Sequence, residues 1–330
     1  MKMERRRYEF VLEAETPIAH HETTIGNMSL AMRRKVRTPG GWTHVPIITA
    51  DTMRHGMREA AAYALLEAAG LLDRPQLSEA AIRLLFAGGT LTGRGNAGVV
   101  KLDQYHQLVE LVPSMSLFGG CSDNRVVPGQ LIVEDATLVC TETAPFVPVW
   151  AMAEVEARCG IDGARAHLEE VQRTRMDPTL QPQKVRLMAD GEQVRIAGRL
   201  QASEQASADG DAVEASREKS SMMPRSMERI AQGSMFSWAV EARLYDELQV
   251  DTYHVAVGAW LADAWAGGKR GTGHGKLRVV AARHVRLARV ARAEDCIDTT
   301  ALGAQTGELF RAHVRERAER IASFLAGCNA

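Results

Sequence analysis

The sequence has few of the residues that mark disulfide-bonded, zinc-binding or membrane-spanning proteins. Its five cysteines include no C-x-x-C pair, which argues against a zinc ribbon and against a disulfide framework. No apolar run approaches the roughly 20 residues that a membrane-spanning helix needs, and the N-terminal MKMERRRYEF has no apolar segment behind its charges. We therefore expect a cytoplasmic protein with reduced cysteines and no membrane contact.

Net charge is also nearly absent. The 330 residues contain 40 Lys and Arg against 41 Asp and Glu, a formal net charge of -1. A polyanion would have to be bound through local patches, because there is no global attraction. The contents of 45% hydrophobic and 25% charged residues are ordinary for a soluble protein with a sizeable core, and the length suggests about two domains.

Acidic residues are missing from two stretches of the chain. The first extends from Ala264 to Ala293. It contains Lys269, Arg270, Lys276, Arg278, Arg283, Arg286, Arg289 and Arg292. The second lies between Glu22 and Asp51. It contains Arg33, Arg34, Lys35 and Arg37. Each stretch predicts a local basic field, which favours contacts with phosphate groups.

The glycine-rich segment Gly267–Lys276, GGKRGTGHGK, lies in the first of these stretches and has five glycines. It follows a helical pattern at Val255–Trp265 and precedes a strand pattern at Leu277–Leu287, so it is predicted to connect a helix to a strand. Such a loop exposes backbone N–H groups to a phosphate chain, although glycine clusters are also ordinary turns. It is not a Walker A loop, because Leu277 stands where a Ser or Thr would bind magnesium. We expect phosphate contacts from the side chains of Lys269, Arg270, His274 and Lys276.

A helix is predicted from Thr49 or Asp51 as the capping residue to about Ala69, with Gly70 as its stop. Near its start, Arg54 and Arg58 are four residues apart, so they share a face and repel each other unless an anion lies between them.

Together with His55 and the exposed N–H groups of the first turn, these arginines would form a phosphate site. The alternative is a solvated polar face in which Glu59 pairs locally.

Other patterns place the remaining elements of the fold. Strands are predicted at Tyr8–Ala14, Leu131–Cys140 and Met235–Leu244, and helices at Leu77–Ala87 and Thr306–Leu325. A long loop is predicted at Glu15–Pro46, functional or partly structured. The Ser-, Ala- and acid-rich segment Gln201–Ser221 is predicted to be mobile or to order only on binding. The order of elements suits an α+β fold with helices on one face of an antiparallel sheet.

Three weaker motifs leave alternatives open. Gly93–Gly98 fits G-x-G-x-x-G, but it follows a helix and lacks a surrounding strand-turn-helix unit, so a flexible loop is preferred to a dinucleotide site. His20 and His21 lack a carboxylate-rich motif nearby, which favours a structural role or a nucleic-acid contact over catalysis. Met222 and Met223 lie close to Arg225 and are either apolar wedges between bases or part of a helix in the core.

Four segments, in this order, resemble the RAMP superfamily of CRISPR effector proteins, specifically the backbone subunit that polymerises along the guide RNA. Val45–Arg58 resembles its strand and turn into a helix opened by G-x-x-R. Ser116–Gly120 is similar to its S-L-F-G segment. Pro224–Phe236 is similar to its P-R-x-x-E-R-V…G…F segment. Gly267–Lys276 is similar to its terminal G-G-x-R-x-x-G-x-G-K. Each segment by itself is weak evidence for the family, whereas the order and spacing of the four are specific to it.

The resemblance implies a modified ferredoxin-like, RRM-type palm with finger insertions and a thumb, within a single RAMP-like domain of residues 1–330. By this correspondence the palm comprises residues 5–70, 131–145 and 234–290, the fingers residues 16–46 and 71–130, the thumb residues 174–232, and the C-terminal helix residues 306–326. The Ser-rich part of the thumb is an additional insertion relative to the family.

The resemblance further implies a non-enzymatic scaffold without catalytic residues, metal or cofactor. Copies would assemble head to tail on a CRISPR RNA (crRNA), with other effector subunits, and present the guide to a target nucleic acid. Target-cleaving type III backbones carry an Asp in the loop after the first strand, whereas the acid-free stretch here has Asn27 in that area, so we expect no cleavage of target RNA by this subunit. The missing Asp, the total length and the long thumb are most like the type IV backbone. The alternatives are a type III-like endoribonuclease using His20 or His21 and a nucleotide-binding enzyme using Gly93–Gly98.

The residues expected to bind RNA are basic or titratable and come from four parts of the chain. They are His20, Arg33, Arg34, Lys35, Arg54, His55, Arg58, Arg225, Lys269, Arg270, His274 and Lys276, with Met222 and Met223 as the thumb wedge.

Overall fold

A computed structural model of the chain describes residues 3–73, 77–89, 98–99, 102–122, 125–173, 186–198, 225–287, 292–296 and 307–328. Helices and mainly antiparallel strands are mixed along it, which is consistent with the predicted α+β class. The chain forms two compact units, one of residues 1–20, 32–168 and 230–330 and the other of residues 21–31 and 169–229.

The strands are β1 (Glu4–Ala14), β2 (His21–Ile25), β3 (Met28–Ala31), β4 (Arg33–Thr38), β5 (Gly41–Ile48), β6 (Gly98–Val99), β7 (Gly120–Ser122), β8 (Arg125–Val127), β9 (Leu131–Val133), β10 (Ala136–Leu138), β11 (Leu168–Arg173), β12 (Arg225–Ile230), β13 (Met235–Leu244), β14 (Leu277–Leu287) and β15 (Arg292–Cys296). The helices are α1 (Ala50–Ala68), α2 (Glu79–Ile82), α3 (Leu102–Leu111), α4 (Ser114–Phe118), α5 (Val149–Cys159), α6 (Glu247–Ala262), α7 (Glu308–Glu316) and α8 (Ala318–Gly327). A π-helical turn, Arg83–Ala87, continues α2.

The first unit is built on an eight-stranded sheet in the order β15-β14-β1-β13-β10-β5-β4, with β9 also paired to β13. Strand β1 lies near its middle and pairs antiparallel with both β13 and β14. The run Phe10, Val11 and Leu12 is fully buried. Because successive side chains of a strand point to opposite faces, both faces of the sheet at β1 are covered.

Helices α1 and α6 pack on one face of this sheet. The Thr49 side chain accepts a hydrogen bond from the Thr52 N–H and caps α1, and Gly70, at φ +67°, follows its end. The predicted start and stop of this helix are thereby confirmed. Its buried side includes Met53 and Met57, which share one hydrophobic cluster with Phe10, Trp238 and Trp260.

Helix α5 covers part of the opposite face. Its Ala151 and Val155 pack in a separate cluster with Val11, Val139 and Met235. The expectation of helices on one face only is therefore wrong. The uninterrupted apolar run in β1 was the available signal, because a strand buried on both faces loses the alternation of apolar and polar residues.

The predicted loop at Glu15–Pro46 is also corrected, since it contains two hairpins, β2–β3 and β4–β5. Many of their side chains are polar and exposed, so they lack the apolar alternation from which strands are recognised in sequence. The predicted strand Leu131–Cys140 consists of the two short strands β9 and β10, and the C-terminal helix is interrupted at Arg317.

The second unit contains a four-stranded sheet in the order β11-β12-β3-β2, with β12 and β3 parallel. The Glu228 carboxylate accepts a hydrogen bond from the Ala31 N–H at 3.0 Å, and Arg229 pairs with Glu169 at 2.8 Å. Residues 190–198 are helical. This unit combines parts of the segments predicted as a finger and as the thumb, and those roles stay predictions.

Candidate nucleic-acid interface

The glycine-rich segment of the first unit is bound along its length by the residues that follow β1. The Gly268 N–H donates to the Ala19 carbonyl at 2.7 Å, and the Gly275 N–H donates to the Pro17 carbonyl at 3.0 Å. The segment connects α6 to β14, which confirms the predicted helix-to-strand connection. Two of its backbone N–H groups thus serve the fold, so they are not free to contact a phosphate.

Close backbone approach explains some of its glycines. Gly275 has φ +96°, and a Cβ atom there would lie 2.1 Å from the Ala266 carbonyl oxygen. At Gly267, φ +80°, the corresponding distance to the Ala19 oxygen is 2.8 Å. Gly271, in contrast, has open space around its Cα. These two glycines allow the loop to lie against its neighbours, because a side chain at either position would collide with backbone.

The cations of the segment lie beside acidic residues from other parts of the first unit. Arg270 lies 5.1 Å from the centre of the Trp265 ring, 3.5 Å from the Asp263 carboxylate and 3.9 Å from that of Glu59. Lys276 lies 3.3 Å from the carboxylate of Glu15.

Arg278, just beyond the segment, pairs with Glu13 at 2.5 Å. The acid-free stretch of sequence is therefore not an acid-free region of space, and the basic field expected from it is weaker. Lys269 is exposed and adopts a left-handed backbone with φ +62°.

Two of the predicted histidines are engaged with backbone. His274 is 4% exposed, and its Nδ1 lies 3.0 Å from the Thr272 carbonyl oxygen. A phosphate contact by His274 would thus need the loop to open. The Nε2 atom of His20 accepts a hydrogen bond from the Thr49 N–H at 3.3 Å, which places this ring at the start of α1.

Arg54 and Arg58 both reach the C-terminal end of α4. Arg54 donates to the carbonyls of Phe118 and Leu131. Arg58 donates to those of Phe118 and Gly119, each at 3.1 Å. Carbonyl oxygens thus supply the negative partner that the i, i+4 arginine pair requires. RNA contact by either residue stays a prediction, whereas their N–H groups already join α1 to the end of α4.

Burial lowers the pKa of both arginines of this pair. The pKa of Arg58 is lowered to about 10, chiefly because its guanidinium is buried and secondly because of the charge of Arg54. Burial also lowers the pKa of Arg54. Through its hydrogen bonds to Phe118 and Gly119, the pair joins two of the four segments on which the family resemblance rests, the G-x-x-R helix start and the S-L-F-G segment.

His55, which follows Arg54 in α1, is exposed and lines a groove of about 760 Å³. Glu59, Trp260, Trp265 and Arg270 also line it. Because Arg270 and Glu59 lie on its two sides, the groove has mixed charge and lacks the uniformly positive lining of a phosphate track.

The hairpin β4–β5 carries the second basic stretch. Arg34 pairs with Asp135, whose carboxylate also accepts the Ala50 N–H at 2.7 Å. Arg33 is half-buried, whereas Lys35 and Arg37 are exposed. Among the described residues, neither Lys35 nor Arg37 has a carboxylate within 4.0 Å.

An exposed tryptophan on this hairpin was missed by sequence reasoning. The Trp42 side chain is 59% exposed and lies beside both Lys35 and Arg37. The signal was present, because an aromatic residue among cations without acids is typical of nucleic-acid binding surfaces.

In the second unit, Arg225 is exposed on β12, and its predicted RNA contact stays a prediction. Met222 and Met223 lie outside the described residues, as do residues 93–97 of the G-x-G-x-x-G motif. Gly98 itself belongs to β6, which pairs with β8.

The described part of the chain has neither a metal-binding cluster nor a membrane-spanning helix. It holds no group of three or more His, Cys, Asp or Glu side chains placed to bind a metal ion. None of its helices has the length and apolar character for crossing a membrane.

Comparisons with known proteins find similarity in structure and not in sequence. No family model matches the chain, and no curated protein matches it either. Among solved structures, the chain is similar to one described as a "Type IV-B CRISPR Complex", with a TM-score of 0.51 and 16% sequence identity. The match covers 87% of this chain and 92% of that chain. At this identity the match shows a shared fold.

Proposed function

We propose that this protein is a non-catalytic backbone subunit of a CRISPR effector complex of type IV, which binds crRNA independently of its sequence. The observation that carries this proposal is the shared fold, over 87% of the chain, with a chain from a structure described as a Type IV-B CRISPR complex. The four sequence segments that resemble RAMP backbone subunits support the same family independently.

The topology supports an RRM-type, ferredoxin-like palm. In chain order, β1 leads into α1, the short strands β9 and β10 precede β13, and α6 leads into β14. In space the order is β14-β1-β13-β10, with antiparallel pairs. Numbered along the palm, this is the order 4-1-3-2 of a βαββαβ fold, a frequent scaffold for single-stranded RNA.

Exposed cations of the palm, of the β4–β5 hairpin and of β12 would contact the guide. Phosphate contacts carry no sequence information, so a subunit of this kind can hold any guide and leave the bases available for pairing. Lys35, Lys269 and Arg225 are exposed candidates. Arg54 and Arg58 would act chiefly by holding the end of α4.

The assembly follows from the same proposal. Copies would bind head to tail along one crRNA, which generates an open helical filament, and other effector subunits would join them to present the guide to a target nucleic acid. We place this complex in the cytoplasm.

The proposal is tested by expressing the full chain with and without a CRISPR array and measuring the nucleic-acid content and particle mass of the purified protein. Uniform guide-length RNA in a large particle, present only with the array, is expected. A monomer without RNA under both conditions would overturn the proposal.

Absence of catalysis is tested on the assembled complex with labelled complementary RNA and magnesium. We expect the target to remain intact. Evenly spaced cleavage products would instead identify the chain as an endoribonuclease, with His20 and His21 as the first residues to substitute.

A further inference from the structure

Trp42 lies on the solvent-facing side of the β4–β5 hairpin. In the register of this hairpin Arg37 is opposite Trp42, and Lys35 is opposite His44. Directly opposite residues of an antiparallel pair share a face, so these four side chains lie on one face. The neighbouring positions Val36 and Val45 pack with the hydrophobic core of the first unit, which leaves the face of Trp42 outward.

The exposure of this ring distinguishes it from the other tryptophans. The Trp42 side chain is 59% exposed, whereas Trp238 and Trp260 are buried. Trp150 and Trp265 are half-buried, and their indole N–H groups donate to carboxylates of Glu9 and Asp263. Trp42 therefore presents a large aromatic surface that the fold does not cover.

Two cations are placed beside this surface. The Lys35 ammonium lies 5.1 Å from the centre of the Trp42 ring, and the Arg37 guanidinium carbon lies 5.5 Å from it. These distances are within the range of cation–π attraction, which orients the side chains against one another. Because neither cation has a carboxylate partner among the described residues, their charges remain available to an anion.

This combination fits single-stranded nucleic acid. Proteins that bind single strands without sequence preference combine cations that follow the backbone with aromatic rings on which bases stack. Every base has a π-face, so such stacking tolerates any sequence, as a guide-binding subunit requires. A protein partner of complementary charge would be acidic. Such a partner has no unpaired bases to stack on the Trp42 ring, so base stacking distinguishes RNA from it.

We infer that Trp42 is a stacking platform for an unpaired base of single-stranded RNA, with Lys35 and Arg37 holding the adjoining phosphates. The inference rests on the proposed function for the presence of RNA. It adds a contact to the base, whereas the proposed function requires only contacts to the backbone.

The test measures binding of the full-length protein to two short fluorescent RNAs, an oligouridine and an abasic strand of the same length. Both carry the same phosphates, and the abasic strand has nothing to stack. We expect Trp42→Ala to weaken oligouridine binding about five- to a hundred-fold and to leave abasic binding unchanged. Trp42→Phe should restore most of the affinity, because it restores a ring.

A second measurement follows tryptophan fluorescence. Oligouridine should quench the wild-type emission more than that of Trp42→Phe, because a stacked base contacts the indole directly.

The outcomes separate this inference from the proposed function. Equal binding of oligouridine by wild type and Trp42→Ala, both folded, would overturn the stacking platform and leave the RNA-binding backbone intact. An equal loss of affinity for both RNAs in Trp42→Ala would also overturn the stacking platform, since the ring would then support the phosphate contacts and not a base. No binding of either RNA by the wild type would contradict the proposed function itself.

Discussion

Two basic pairs of the first unit look alike in sequence and differ in what they contact. Arg54 and Arg58 of α1 donate to the carbonyls of residues 118, 119 and 131. Lys35 and Arg37 of β4 lie beside the exposed ring of Trp42. The first pair supports the fold, and the second is available to a ligand. Two cations close together in the sequence are therefore evidence of a binding site only when the groups that their side chains contact are known.

The largest effect is expected from Arg58→Ala. It leaves the buried Gly119 carbonyl without its arginine donor, while the Phe118 carbonyl keeps its hydrogen bond from Arg54. It also removes the cation–π contact of Arg58 with the Phe118 ring. An unsatisfied buried acceptor costs about 1–3 kcal/mol, and a desolvated cation–π contact contributes about 2 kcal/mol. We expect the free energy of unfolding to fall by about 3 kcal/mol, measured by urea denaturation followed by circular dichroism.

Arg37→Ala is the matched control and should change the free energy of unfolding by less than about 0.5 kcal/mol. If Arg58→Ala kept the wild-type denaturation midpoint and lost RNA affinity, Arg58 would be a binding residue and not a support of the fold.

The glycine-rich segment offers a second contrast, between two of its own glycines. Gly275→Ala places a Cβ atom 2.1 Å from a carbonyl oxygen at φ +96°, whereas Gly271→Ala meets open space. We expect a loss of about 2 kcal/mol of stability for the former and under about 0.5 kcal/mol for the latter.

Thermal unfolding of the two variants beside the wild type measures this difference. Equal melting temperatures would show that the segment is not held against its neighbours, and the backbone N–H groups would again be candidates for phosphate binding.

The smallest effect on stability is expected from the double variant Lys35→Ala with Arg37→Ala. These exposed side chains should contribute less than about 0.5 kcal/mol to folding. Their effect should lie in RNA binding, where each lost phosphate contact lowers the slope of log K against log salt by about 0.7 for a single strand.

Affinity for oligouridine over a series of salt concentrations gives this slope. A reduction by about 1.4 is expected for two contacts. An unchanged slope in a variant that still binds RNA would remove the hairpin from the RNA-binding surface.

Much of the fold could be predicted from local patterns. The cap Thr49, the stop Gly70 and the strand Met235–Leu244 were read from short-range signals and are confirmed. The hairpins β2–β3 and β4–β5 were missed because their exposed strands do not alternate between apolar and polar residues. Helix α5 was missed together with the second buried face of β1.

The candidate site was less predictable than the fold. Sequence reasoning selected cations by the absence of acids nearby in the chain, but Glu15, Glu59 and Asp263 come close to the glycine-rich segment through folding. It also selected His274, which is buried, and passed over Trp42. Charge pairing acts over a few ångströms of space, a distance that sequence separation does not measure.

The sequence by itself determined the types of several core elements, the positions at which α1 begins and ends, and the order of the four segments that resemble RAMP backbone subunits. Those features depend on caps, glycines and hydrophobic periods that act within a few residues. Only the tertiary structure decided which cations support the fold and which face outward. Whether a guanidinium meets a carbonyl, a carboxylate or solvent depends on residues far away in the chain, and Arg58, 61 residues from the Gly119 carbonyl it serves, is the clearest example.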